Sequence, residues 1–138
     1  MNIPASYINR LARNKLVFTS QELEGIDYID IGRRLSEKLE NSLLKKHLPM
    51  IAEDALKLIL SESSESDEVI GRYIAIKNIG ILFEPVLHFD LKSFFSNWSR
   101  DQVLIIHHEG EIRDNKFYLV PNSQKYFVNL KEITYKAI

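Results

Sequence analysis

Apolar positions along the chain recur with two different periods, and each change of period marks an element. Residues 5–14 place Tyr7, Ile8 and Leu11 on one face of a short helix. Leu16, Val17 and Phe18 make one short strand, and the polar run from Thr19 to Gly25 reads as a loop or a helical turn. Residues 26–31 alternate apolar and polar side chains, which is the pattern of a strand. Ile31, Leu35, Leu39 and Leu43 then recur every four residues, with Arg33, Arg34, Glu37, Lys38 and Glu40 between them, which predicts an amphipathic helix. Pro49 opens a second helix with Ile51, Ala55, Leu58 and Ile59 on its inner face. Residues 61–68 carry no apolar side chain and predict a mobile loop.

Residues 73–76 read as a buried strand, and the apolar run from Ile79 to Phe83 stops at Pro85. Asp90 is placed to cap a helix from Leu91 to Trp98. Val103, Leu104, Ile105 and Ile106 form the most strand-like stretch. Residues 116–120 and 126–128 are two further strands, separated by Pro121, Asn122 and Ser123. Strands that alternate with helices predict a single α/β domain over residues 1–138, three layers deep, with a small, mostly parallel sheet flanked by helices on both faces.

Composition narrows the chemistry. The 138 residues contain no cysteine, which excludes disulfides, Cys-ligated metals and thiol catalysis. Lys plus Arg total 18 against 19 Asp plus Glu, a net charge of −1, which argues against a protein built mainly to neutralise phosphates. The longest wholly apolar run is four residues, against about 20 for a membrane span. The start Met1-Asn2-Ile3-Pro4 lacks the pattern of a signal peptide, so the expected address is cytoplasmic.

Chemistry-bearing residues are scattered. His107, His108 and Glu109 follow the strand at 103–106, where an open α/β sheet places its ligands. Adjacent strand residues face opposite ways, so the two histidines do not share a metal, and a surface turn is the plainer reading. His47 and His88 stand alone, and the carboxylates form no fixed pair beside a pocket. Arg10, Arg13 and Lys15, with Arg33 and Arg34, make two basic clusters that read as solvated helix faces. Phe94, Phe95 and Trp98 form an aromatic stripe, either core or a protein-binding face.

The segment from Asn78 to Asp90, Asn-Ile-Gly-Ile-Leu-Phe-Glu-Pro-Val-Leu-His-Phe-Asp, resembles the small P-loop protein of type 3 bacteriophage-exclusion (BREX) systems, the BrxF-like family. The following helix, the pair Ser99-Arg100 and the strand at 103–106 continue the likeness. So does the upstream run from Tyr28 to Leu39, and the whole likeness spans about residues 27–127. The departures are specific. The five glycines, Gly25, Gly32, Gly71, Gly80 and Gly110, build no G-x-x-x-x-G-K-[ST] loop. Lys77, followed by Asn78, stands where the family has its acidic Walker B residue, and a lysine there opposes Mg²⁺.

The resemblance therefore implies a degenerate P-loop-like fold that has lost nucleotide hydrolysis, with no catalytic residue, metal or cofactor. It implies a non-enzymatic subunit of a prokaryotic anti-phage defence system that works by binding a larger protein. A homo-oligomer is the other arrangement open, nucleic acid is met only indirectly, and no membrane is involved. Phe95, Trp98 and Arg100 are the candidate partner-binding residues. Two alternatives remain open: a nucleotide-binding ATPase subunit with an unorthodox phosphate site, in which Arg100 reaches a neighbour's phosphate, and a nucleic-acid-binding accessory domain.

Overall fold

A computed structural model describes residues 12–138. The helix expected over 5–14 lies almost wholly outside the described residues. Strand β1 (Leu16–Thr19) is followed by an irregular stretch and the two-residue strand β2 (Ile29–Asp30). Helices α1 (Ile31–Leu39) and α2 (Leu48–Glu62) come next, then strands β3 (Glu65–Asp67) and β4 (Gly71–Lys77). Two 3-10 turns, Ile79–Phe83 and Pro85–Leu87, lead to helix α3 (Leu91–Trp98) and strand β5 (Val103–His107). Strands β6 (Glu111–Arg113), β7 (Lys116–Tyr118) and β8 (Phe127–Asn129) precede the last strand, β9 (Tyr135–Ala137).

The main sheet runs β2-β4-β5-β1-β9 with every neighbouring pair parallel, and β3 pairs antiparallel with the first half of β4. Strands β6, β7 and β8 make a separate antiparallel sheet. The chain is thus α/β with a mostly parallel central sheet, as its alternating periods predict.

The register sorts the side chains cleanly. Leu16 and Phe18 of β1 share a face with Leu104 and Ile106 of β5 and with Ile74 and Ile76 of β4. The buried residues of all three helices pack on this face, and so do Phe117 and Val128 from the small sheet. Phe18 lies at its centre, within 5.9 Å of the Phe95 ring, 5.2 Å of Phe117 and 5.9 Å of His108. The opposite face, with Val17, Tyr73, Ala75, Val103 and Ile105, is covered by Leu23, Ile26 and Tyr28 of the irregular stretch and by Val69 and Ile138. Among the described residues, where three layers were expected, the α-helices cover one face and the second is covered by chain without helix.

Asp30 and Asp90 start their helices as side-chain caps. Asp30 accepts from the Arg33 N–H at 2.9 Å, and Asp90 accepts from the Ser93 N–H at 3.1 Å. Helix α1 ends at Leu39, short of Leu43, because the core ends there: Leu43 is 60% exposed and Leu44 wholly so. Helix α2 buries Ala52, Leu56, Ile59 and Leu60 and leaves Leu58 outside, a rotation that only its neighbours could select.

The loop reading of residues 61–68 is also corrected. The Ser61 and Ser63 hydroxyls donate to the carbonyls of Lys57 and Ile59, carrying α2 through Glu62, and residues 65–67 add an edge strand. The Asp67 carboxylate accepts from the N–H groups of Val69 and Ile70 at 2.8 and 3.1 Å and fixes the turn into β4. A strand at an exposed edge needs only its backbone ladder, so a polar run can form one.

Candidate functional site at the carboxyl edge of the sheet

The parallel strands end together, and their last residues form a polar row. Thr19 of β1 is paired with His107 of β5, and Asp30 of β2 with Lys77 of β4. Ile76 is paired with Ile106, which puts Lys77 beside His107. Each of these four follows a residue packed against the helical face, so by strand alternation all four lie towards the opposite face. The row Asp30, Lys77, His107, Thr19 thus crosses four neighbouring strands spaced about 4.8 Å apart. The carboxyl edge is where open α/β sheets bind ligands.

Local chemistry places each group. Lys77 Nζ lies 3.1 Å from Glu22 Oε1 in the stretch after β1. Asn78 adopts a left-handed conformation, φ 56°, and its amide donates to Asp30 Oδ1 at 2.8 Å. The Arg33 N–H and the Asn78 amide hold the Asp30 carboxyl below its ordinary pKa. A Cβ on Gly32 would overlap the Asn78 amide, so glycine at this position lets β4 close on α1. Glu22, Lys77, Asn78, His107, His108 and Glu109 surround a cleft of about 430 Å³.

The two histidines separate as strand geometry requires. His107 meets the Tyr28 ring at 6.1 Å on one face. His108 turns to the other, 5.0 Å from the Phe117 ring, with Nδ1 accepting the Gly110 N–H at 3.1 Å. The surface-turn reading of His108 is therefore corrected, since it is only 9% exposed. Burial lowers its pKa, and neighbouring His107 adds to the effect. Among the described residues, no group of three or more His, Asp and Glu is placed to hold a metal ion.

Thr19 was not singled out by the sequence, yet it and His107 are the notable members of the row. Thr19 Oγ1 and His107 Nδ1 are buried without a hydrogen-bond partner among the described residues. A polar side chain closing an apolar strand was the only available signal, and many strands end that way.

The three residues expected to bind a partner do not form one surface. Phe95 is wholly buried, T-shaped against Phe18, and cannot contact a partner. The reason is the helix face it occupies: Phe95 turns towards β1, while the adjacent Phe94, tilted against it at 5.5 Å, lies on the side of α2. Trp98 is half-buried and lines a groove of about 520 Å³ between α2 and α3, with Met50, Leu87, Phe89 and Phe94. Arg100 is exposed, and its guanidinium lies 3.5 Å from the Ser96 hydroxyl. Nearby, the carbonyl of Trp98 accepts from the Gln102 amide. Among the described residues no helix is long and apolar enough to cross a membrane. Comparisons with protein-family models, with curated proteins and with solved structures found no significant match to this chain.

Proposed function

We propose that this chain is a non-enzymatic binding subunit that docks on a larger protein, of the kind its likeness to the bacteriophage-exclusion P-loop proteins implies. The observation that carries the reading is an exposed apolar corner between α1 and α2. Leu44 is fully exposed, Leu43 is 60% exposed and Met50 is 59% exposed. Met50 continues into the groove that holds Trp98. Leu43 and Leu44 are adjacent in the segment between the two helices, and exposed apolar side chains that join into one patch mark interaction sites. The docking surface is thus moved from Phe95 to the corner of Leu43, Leu44 and Met50, with Trp98 at its edge and Arg100 beyond the end of α3.

The carboxyl edge supports the absence of hydrolysis. The stretch after β1 offers no glycine-rich cradle of N–H groups, and the lysine at the end of β4 already faces a carboxylate. An ATPase subunit or a nucleic-acid-binding domain gains no specific observation from this arrangement.

The test joins two measurements. The protein is co-expressed with the products of its neighbouring genes, and a stable complex of defined stoichiometry with a larger protein is expected. Leu43→Ser, Leu44→Ser and Met50→Ser together should leave folding intact and weaken that complex by more than about 2 kcal/mol, the scale of interface hot spots. Phosphate release from ATP–Mg²⁺ above background, or an unchanged complex with the triple variant, would overturn the reading.

A further inference from the structure

The polar row carries a second consequence, independent of the apolar corner. Thr19 Oγ1 and His107 Nδ1 are sealed from solvent without a hydrogen-bond partner among the described residues, although they lie opposite each other at the strand ends. Leaving such groups unpaired in a buried place is costly, and native structures rarely do it without a reason. The stretch over residues 20–28 lies across this face of the sheet. Tyr28 stands against His107, and Leu23 and Ile26 pack on the same face of the sheet. Besides this packing, that stretch is held by few polar contacts: the Ser20 N–H donates to the Ile138 carbonyl at 2.9 Å. Within it, the Leu23 N–H donates to the Tyr28 hydroxyl at 3.0 Å, and the turn passes through Gly25 at φ 82°. Its charged link to the row is the Glu22–Lys77 pair, whose side chains are 49% and 36% exposed. An exposed pair of this kind contributes little to stability.

We infer that residues 20–28 are a lid closed over a small-oxyanion site, in which the Glu22 carboxylate is the resident stand-in for the ligand. When the lid lifts, Glu22 leaves Lys77, and Lys77 Nζ, the Thr19 hydroxyl and the His107 ring become one row of donors on a single face. A carboxylate or a phosphate group supplies the acceptors that this row lacks. The site is too sparse for a polyphosphate, because no cradle of backbone N–H groups follows β1. The ligand is therefore a compact group bearing one oxyanion.

The full chain is titrated with sodium acetate and with inorganic phosphate at constant ionic strength, followed by NMR and by amide hydrogen exchange. Either anion should perturb residues 19, 77 and 107 and speed exchange across 21–27, and the stronger of the two identifies the source of the oxyanion. Glu22→Gln should tighten binding by up to about fivefold, the release of one surface ion pair. Thr19→Val, which keeps the side chain's shape, should weaken it several-fold, and Lys77→Met should abolish it. Absence of binding by both anions to Glu22→Gln would overturn the inference. So would binding that ignores Thr19→Val, or exchange across 21–27 that neither anion alters. The readouts are separate from complex formation at the apolar corner, so the two proposals fail independently.

Discussion

Thr19 and His107 stand opposite each other on two neighbouring parallel strands, and each buries a polar atom that nothing among the described residues satisfies. An unsatisfied buried hydroxyl costs about 1–3 kcal/mol relative to a methyl group of the same shape. Thr19→Val should therefore leave the ligand-free protein at least as stable as the wild type. Urea denaturation measures this, and a loss of more than about 1 kcal/mol would mean the hydroxyl has a partner after all.

Phe95 provides a test of the corrected surface. Its ring is wholly buried and set edge-on to Phe18, so removing it opens a cavity at the centre of the sheet. Phe95→Ala should cost about 3–5 kcal/mol. Arg100→Ala, at an exposed side chain, should cost less than about 0.5 kcal/mol. Thermal unfolding of the two variants separates a core position from a surface one, and a fully stable Phe95→Ala would return this residue to the surface.

Gly32 and Asn78 form a coupled pair. Alanine normally suits a helix better than glycine by about 1 kcal/mol. Here its Cβ would overlap the Asn78 side chain and come within 3.0 Å of the Asn78 carbonyl oxygen. Gly32→Ala should destabilise by about 1–3 kcal/mol, as overpacking does. In an Asn78→Gly background, where the side chain is gone and the left-handed φ is easy, most of that penalty should disappear. A double-mutant cycle by chemical denaturation gives the coupling, and additive effects would refute it.

His108 should give the protein an acid-sensitive limb. In the unfolded chain this side chain takes up a proton near its ordinary pKa of 6.5. Burial among Phe18 and Phe117 lowers that value in the folded state. The unfolded state then binds more protons, so stability is complete above about pH 6.5 and declines as pH falls through it towards the lowered folded value. Asp30 and Asp90 also have lowered pKa values, but their contribution is lost only below their ordinary value of 3.8. His108→Gln should flatten the decline that begins below about pH 6.5 and leave the carboxylate limb in place. A decline of equal steepness in the variant would assign it elsewhere.

Much of the fold was written in the order of residues. The apolar strand at 103–106, the Asp90 cap and the helix to Trp98 are local events, set by hydrophobic period and by one carboxylate meeting a backbone N–H. The change of period at Ile31 marks the start of α1 for the same reason.

Tertiary structure decided what local pattern cannot express. Both Phe94 and Phe95 are buried because neighbours on two sides receive them: Phe95 packs on Phe18 of β1, and Phe94 lines the groove between α2 and α3, which no pattern within the helix can express. The polar residues at 65–67 became a strand because β4 had a free edge to pair with. The row of Asp30, Lys77, His107 and Thr19 joins residues up to 88 positions apart, and only the parallel register aligns their ends. Side-chain period sets the face on which a residue lies, and strand pairing sets its neighbours, so a site assembled from four strand ends exists only once the sheet has formed.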